Sequence, residues 1–406
     1  MNSLQYLRVA VVALLVFALL AAASFSNVSA QSGRQPNKKS DVEKKTDAQK
    51  RDEKSKAGDK TQPDEQDPLP PIPKNQKDEP ALKLSTQVVG IQVSVIDKKT
   101  GRLIPGLAKK NFGIYEDGVK QEVTNFSSGD GPATVVLLLD NNFRNRYFTN
   151  YFDPTFAQEI FQSAAGFIQL FIKPQDFAAV VTFSMRPKVI QDFTNDSQRL
   201  YAAIMSAYRD TLNFSESNMY DGISFALLGG KAYQLYAENA GEQEYGGLQE
   251  VEGNTAIVLI TLGIDTFSKL TFDKALKIAS NGGVPIYTVG VGNLFFKKYE
   301  HRLPDETRLT FLQAFNQLRA FAERTGGSYF EMTFESQIPQ IMRAIEALVR
   351  NQYDVGYVPT NTRREGKERK IKIEVDIDGD GQPDNNKVEL RYRNRYYEPD
   401  DRPKTK

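Results

Sequence analysis

The chain has 406 residues, 40% of them apolar and 25% charged, with a formal net charge of +1. That length allows two or three domains, and the near-zero charge gives no global pull toward nucleic acid or an anionic membrane surface. With no cysteine and a single histidine, His301, the chain has no disulfide, thiolate metal site, cysteine nucleophile or multi-histidine centre.

Residues 1–30 read as a secretory signal. Arg8 precedes the unbroken apolar run VAVVALLVFALLAAA (9–23), and SFSNVSA places Val28 and Ala30 at the positions a signal peptidase reads. The run is shorter than the roughly 20 residues that cross a bilayer, so membrane contact is expected only through this segment if it stays uncleaved. The implied location is extracytoplasmic: secreted, periplasmic or attached to the cell envelope. Residues 31–84 are polar, mixed in charge and poor in aromatic and β-branched residues, with a proline cluster at 68–73. Such a segment buries too little apolar surface to order itself and is expected to be a disordered linker, either a spacer or a leader with no role of its own.

Structure begins near Ser85. TQVVGIQVSVID alternates apolar and polar residues and predicts a strand. NFGIYEDGVKQEVTNFS predicts two more strands around a tight Asp117-Gly118 turn, so residues 85–130 form a small β unit. From 131 to 352, apolar strands alternate with amphipathic helices. The strands are TVVLLLD (134–140), DFAAVVTFS (176–184), VIQDF (189–193), TAIVLITLG (255–263), VPIYTVGV (284–291) and the short SYFEM. The helices are expected at 154–172, opening behind Asp153 and Pro154, and at 196–209, 218–237, 272–280, 305–327 and 335–352. Strands apolar throughout and separated by helices predict a doubly wound α/β fold around a mostly parallel sheet, covered on both faces. Alternation returns in KIKIEVDI and KVELRYR, so residues 353–398 form a C-terminal β segment before a tail at 399–406.

In open α/β sheets ligands bind beyond the carboxyl ends of the strands. Those ends are Asp140-Asn-Asn-Phe-Arg144, Ser184, Thr261-Leu262-Gly263-Ile264-Asp265 and Gly290-Val-Gly292. Gly290-Val-Gly292 lacks the third glycine of a dinucleotide loop, and no phosphate-cradling GxxxxGK[ST] exists.

VLLLD with its polar loop, then SNMYDGISFAL, IVLITLGIDT and VPIYTVGVG, in that order, resembles a von Willebrand factor type A domain. The flanks VSVIDKKTGRLIPGLAKKNFGIYEDGVKQEVTNFS and RTGGSYFEMTF…NQYDVGYVPTNTRREGKERKIKIEV resemble those of secreted bacterial VWFA-related proteins abundant in acidobacteria, a likeness covering about residues 85–397. The resemblance implies a protein-interaction or adhesion module without catalysis. It also implies a metal-ion-dependent adhesion site: Asp-x-Ser-x-Ser after the first strand, a threonine on a second loop and an aspartate on a third. The matching positions are Asp140, Asn142 and Arg144, then Ser217, then Leu262. Asp140 is kept, and Asn142 and Ser217 still offer neutral oxygens, but Arg144 and Leu262 depart from the pattern.

Replacing an acid by leucine and a serine by arginine moves the local charge from about −2 to about 0, and a guanidinium near Asp140 competes with a divalent cation. The expectation is a degenerate, metal-independent site in which Arg144 supplies the charge. The alternative keeps a weak Mg²⁺ or Ca²⁺ site through Asp265.

A second stretch has metal-loop spacing. Asp376, Asp378, Asp380 and Asp384 stand at positions 1, 3, 5 and 9 of a Ca²⁺ loop, with Gly381 at position 6 and Gln382 at position 7. Lys387 takes the place of the bidentate glutamate at position 12. Ca²⁺ binding and a solvated Asp/Gly-rich hairpin turn both fit. The aromatic loop after the first strand, with Tyr147, Phe148 and Tyr151, has the composition of a protein contact, and 245–254 and 293–306 read as further rim loops. The leading functional expectation is a non-catalytic module with an unidentified protein partner. A hydrolase using Asp140, Asp221 and Asp265 is the alternative, although no nucleophile–base pair accompanies those acids.

Overall fold

The computed structural model describes residues 88–129, 131–142, 155–209, 216–230, 232, 245–249, 251 and 253–402. The expected signal and linker (1–84), Arg144, and Tyr147, Phe148 and Tyr151 lie outside the described residues.

Four strands come first: β1 (Val89–Asp97), β2 (Phe112–Glu116), β3 (Val119–Gln121) and β4 (Val123–Ser128). Asp117 and Gly118 turn β2 into β3 with φ of 48° and 86°, the paired positive angles of a two-residue hairpin. The α/β region follows. It runs β5 (Ala133–Asp140), α1 (Thr155–Phe171), β6 (Phe177–Phe183), β7 (Lys188–Thr194), α2 (Ser197–Arg209), α3 (Met219–Leu228) and β8 (Asn254–Thr261). It continues with α4 (Phe272–Gly282), β9 (Ile286–Gly290), α5 (Asn293–Tyr299), α6 (Asp305–Thr325), β10 (Tyr329–Glu331) and α7 (Ile338–Arg350).

These strands form one six-stranded sheet in the order β10-β9-β8-β5-β6-β7, parallel except for the antiparallel edge strand β7. The central strand β5 shows why its run has no polar break. Val135, Leu137 and Leu139 pack with α1, α2 and α7, while Val136 and Leu138 pack with α3 and α4 on the opposite face. The molecule is therefore a doubly wound α/β fold with β segments on either side in sequence.

Two sequence expectations are corrected. The helix predicted over 218–237 ends at Leu228, because Gly229 turns at φ 62° and the Tyr245 carbonyl lies against it where a side chain would stand. The segment 293–306, expected to be a rim loop, holds α5, a 3-10 turn at Glu300–Arg302 and the start of α6. Phe295 and Phe296 anchor α5 in the core against Phe311.

The last strands are β11 (Tyr353–Tyr357), β12 (Glu368–Val375), β13 (Val388–Arg391) and β14 (Arg395–Tyr397). They combine with β1–β4 in two sheets, β13-β1-β11-β4 and β14-β12-β2-β3, which share one apolar cluster including Ile91, Val93, Ile114, Val355, Ile371 and Ile373. Between the sheets Arg369 is buried on two carboxylates. It donates to Glu116 at 2.6 Å and to Glu398 at 2.6 Å, and the Tyr357 and Tyr396 hydroxyls also donate to Glu116, each at 2.7 Å. Full pairing is what makes a buried charge tolerable here.

Candidate functional site

β5 delivers Asp140 to the carboxyl rim of the parallel sheet, where it is buried. Its Oδ2 accepts the Thr261 hydroxyl at 2.6 Å, and its Oδ1 accepts the Asn142 amide at 3.1 Å. Thr261 ends β8, the strand beside β5, and its hydroxyl in turn accepts the Gly263 amide at 2.9 Å. Burial pushes the Asp140 carboxyl up to about 7, against the pull of these hydrogen bonds, and the nearby charge of Asp265 adds to the rise. Among the described residues no cation touches Asp140.

Leu262, at the expected third-loop position, does not face the rim. It is buried in the core cluster that contains Phe156 and Phe295. Its methyl lies so close over Gly292 that a Cβ there would come to 2.5 Å, and Gly292 itself turns at φ 78°. Only glycine fits under that leucine.

Asp265, three residues later, fastens two loops together. It accepts the Ser268 hydroxyl at 2.5 Å and the Tyr220 amide at 3.1 Å at the start of α3. Asp221, on α3, answers by accepting the amides of Lys269 and Leu270, each at 3.0 Å. Ser217 completes the fastening through its backbone, which accepts from the Thr266 and Phe267 amides at 2.8 and 2.9 Å. Burial pushes Asp265 up to about 6, with the charge of Asp221 contributing, and burial raises Asp221 as well. Of the residues singled out from sequence, Asp140, Asn142, Ser217, Asp221 and Asp265 therefore gather at one edge of the sheet. Sequence reasoning placed Thr261 at a strand end without giving it a role and missed Thr266 and Ser268; Thr261 and Ser268 tie this edge through Asp140 and Asp265, and the Thr266 hydroxyl accepts the Ser217 amide at 2.8 Å.

As a donor set for a hard cation, the rim supplies one buried carboxyl and neutral oxygens. The Ser217 hydroxyl and the Asn141 and Asn218 side-chain carbonyls are buried without a hydrogen-bond partner among the described residues. An octahedral Mg²⁺ site draws on carboxylate charge. Asp265 is already engaged by Ser268 and Tyr220, and position 262 is hydrocarbon, so of the pattern's two acid positions Asp140 alone keeps a carboxylate.

The acidic loop 376–384 leaves β12 in one sheet and reaches β13 in the other, so it is a crossover between sheets and not a hairpin. Asp376 accepts the amides of Gly379 at 2.7 Å and Gly381 at 2.8 Å, and Asp380 accepts the Gln382 amide at 2.7 Å. Carboxylate oxygens of Asp376, Asp378 and Asp384 lie within 4.8 Å of one another, a spacing a metal ion could bridge. The Lys387 ammonium is at that spot, 2.6 Å from Asp384 and 3.6 Å from Asp378. It holds the Asp384 carboxyl below the usual carboxylate range, and its own affinity for the proton rises in return.

In the segment 245–254, expected at a rim, Tyr245 and Leu248 are buried against α3, while Gly246, Gln249 and Gly253 are exposed. His301 is exposed in the 3-10 turn before α6.

Exposed large apolar side chains stand on three segments that follow strands and, at Leu294, in the first turn of α5. Met185 follows β6, Phe267 follows β8, Leu294 follows β9 and Phe334 follows β10, with exposures of 39, 44, 40 and 54%. The strands they follow stand in the sheet order β10-β9-β8-β5-β6, with Asp140 at the end of β5.

No protein-family model matches the chain, and no curated protein does. Among solved structures, proximal thread matrix protein 1 from the mussel byssus is similar at 13% identity, over 58% of this chain and 50% of its own, with a TM-score of 0.38. A mutant of the PilB minor pilin from Streptococcus sanguinis is similar at 12% identity, over 55% of this chain and 62% of its own, with a TM-score of 0.38. A von Willebrand factor type A protein from Catenulispora acidiphila is similar at 10% identity, over 78% of this chain and 74% of its own, with a TM-score of 0.37. The chain thus spans about half the length of the mussel protein it matches.

Proposed function

We propose that the chain is an extracytoplasmic interaction module of von Willebrand factor type A kind, whose sheet rim docks a protein partner without a resident divalent cation. The observation that carries this is the set Phe334, Leu294, Phe267 and Met185, exposed apolar side chains in the segments that follow four strands of the parallel sheet. Side chains of this kind at a sheet rim are what a docked protein partner would cover. Asp140, Asn142, Ser217 and Asp265 form the degenerate adhesion site at the same rim. Arg144 is assigned the charge role there, and Tyr147, Phe148 and Tyr151 extend the contact; these four lie outside the described residues.

Metal independence is supported by Leu262 turning inward and by the occupied oxygens of Asp140 and Asp265. A binding role is favoured over hydrolysis because Asp140, Asp221 and Asp265 each hold loop backbone in place. The location follows from the signal read at 1–30. No helix among the described residues is long and apolar enough to cross a membrane.

The test is capture from an envelope extract on the immobilised full chain, with and without chelator. A partner retained equally in both arms, and lost with Phe267→Asp, is the expected outcome. Release by chelator overturns metal independence, and retention by Phe267→Asp together with Phe334→Asp overturns the rim.

A further inference from the structure

We infer that the groove between β10 and β13 takes an extended, basic segment of a partner polypeptide, added to the sheet as a further strand. β10 ends the six-stranded sheet and β13 ends the sheet β13-β1-β11-β4, so each has one side without a neighbouring strand. Both line one groove of about 610 Å³, with Tyr329 and Glu331 contributed by β10 and Glu389, Leu390 and Arg391 by β13. The two sheets meet where the Arg391 guanidinium donates to the Ser328 hydroxyl. There the Tyr392 backbone lies so close to Gly326 that a Cβ would come to 2.7 Å.

The backbone accounts for the kind of guest. The Thr288 amide donates to the Ser328 carbonyl at 3.0 Å, and the Met332 amide donates to the Gly290 carbonyl at 3.1 Å. Tyr329 stands opposite Thr288 and Glu331 opposite Gly290. This parallel ladder therefore uses both backbone groups of Phe330 and turns the amides and carbonyls of Tyr329 and Glu331 away from β9. On β13, the Lys98 amide donates to the Lys387 carbonyl at 3.0 Å. Alternation along that antiparallel ladder turns the Leu390 amide and carbonyl away from β1. None of these six groups has a hydrogen-bond partner among the described residues. Unpaired groups along a strand edge are a template for another strand. A helix has already used its own backbone groups, and a lipid has none. The opposite edge of the six-stranded sheet is built differently: β7 shifts register twice, and such irregularities block edge pairing, whereas β10 has none.

The side chains select among extended segments. Arg319 lies over the Tyr329 ring at 5.3 Å, and Arg391 pairs with Glu389 at 2.8 Å. Two guanidiniums against Glu323, Glu331 and Glu389 leave the lining with one carboxylate in excess. Lys297 reaches Glu331 from outside the groove, with both side chains about half exposed, which makes a weak pair. The favoured guest therefore carries basic side chains. A second copy of this chain would bring the same excess of acid to its own β10. The groove does not rest on the rim reading, so the two stand or fall separately.

The test is calorimetric titration of the full chain with a capped seven-residue peptide of alternating lysine and valine. Its controls are the same peptide N-methylated along the backbone and a glutamate–valine counterpart. The lysine–valine peptide is expected to bind, and both controls to bind at least tenfold more weakly. Glu331→Pro removes an amide that faces the groove and takes no part in the ladder with β9, so it should weaken binding about five- to tenfold, the loss of one main-chain hydrogen bond. An unchanged circular dichroism spectrum checks that this variant keeps the fold. Glu331→Gln keeps the amide and should weaken binding only about two- to threefold, and Phe267→Asp should leave it unchanged. No binding of the lysine–valine peptide overturns the assignment, as does equal binding of its N-methylated form, which needs no variant to read. Tighter binding of the glutamate–valine peptide overturns the basic guest. Self-association of the chain that Glu331→Pro abolishes, without peptide binding, overturns the assignment in favour of a second copy.

Discussion

A carboxyl at the end of a fully buried strand has to be neutralised by a cation, by hydrogen bonds or by its own proton. Asp140 has the second and part of the third: Thr261 and the Asn142 amide reach it, and burial still raises it from 3.8 to about 7. The sign of the consequence follows from linkage. The folded chain holds a proton on Asp140 that the unfolded chain releases near 4. The stability linked to that proton is complete below about 4 and is lost as pH rises to about 7. At ~1.4 kcal/mol per unit, the loss is up to roughly 4 kcal/mol. Asp265, raised to about 6, adds a slope of the same sign that ends sooner. Asp140→Asn should therefore remove the Asp140 share of the fall in urea midpoint between about pH 4 and about pH 7, leaving the Asp265 slope, which ends near pH 6. An Asp140→Asn profile parallel to wild type up to the alkaline end would mean that the carboxylate is ionised in the fold and held by a charge such as Arg144. The same contrast separates Leu262 from its position in the pattern. The sequence shows that the acid is missing, but the inward turn of the side chain depends on Gly292, thirty residues away, and no local reading links the two.

At the level of elements, legibility tracked how far apart the interacting residues lie. β5, β8 and β9 were readable because burial on both faces demands unbroken apolar runs. α1 and α2 were readable from helical spacing. α5 was not: it is short, follows Gly292 directly and starts from a polar Asn293, so it looks like a loop until Phe295 and Phe296 are seen to pack on Phe311. The acidic loop was half readable. Its spacing suggested Ca²⁺, and Lys387 at the twelfth position was visible as a departure, but only the structure puts its ammonium between Asp378 and Asp384. The loop has a built-in cation, and two ions of like charge cannot share one spot. Calorimetry on the wild type should show no Ca²⁺ heat at millimolar ion. Lys387→Glu removes the competitor and restores the bidentate position, so it should bind Ca²⁺ at roughly 10⁻⁴–10⁻³ M, the range of extracellular modules. Equal heats from both proteins would show that the ammonium is displaced easily and that Lys387 does not occupy the site.

Across the whole molecule, strands separated by more than two hundred residues are sheet neighbours. β1 lies between β11 and β13, and β12 lies between β2 and β14. Pairing of this kind leaves no local mark in sequence, so the flanking β segments could be read as strands but not as two halves of one body. The Arg369–Glu116–Glu398 cluster joins the same halves, as does Arg393, which donates to the Gly90 carbonyl at 2.5 Å. Arg393 also reaches the Ser280 and Asn281 carbonyls at the end of α4, each at 3.3 Å, and so ties the β sheets to the α/β sheet. The carbonyls at a helix end have no partners of their own, and a buried guanidinium caps them well. If the β strands and the α/β sheet unfold as one unit, denaturation of the full chain passes through one transition. Arg393→Ala should then lower that single midpoint by about 1–3 kcal/mol, the cost of leaving buried carbonyls unpaired. Amide exchange at residues 280–283 should report the same change as far-ultraviolet circular dichroism. Two resolved transitions in the wild type, with Arg393→Ala shifting only one, would show instead that the interleaved sheets fold independently of the domain they enclose in sequence.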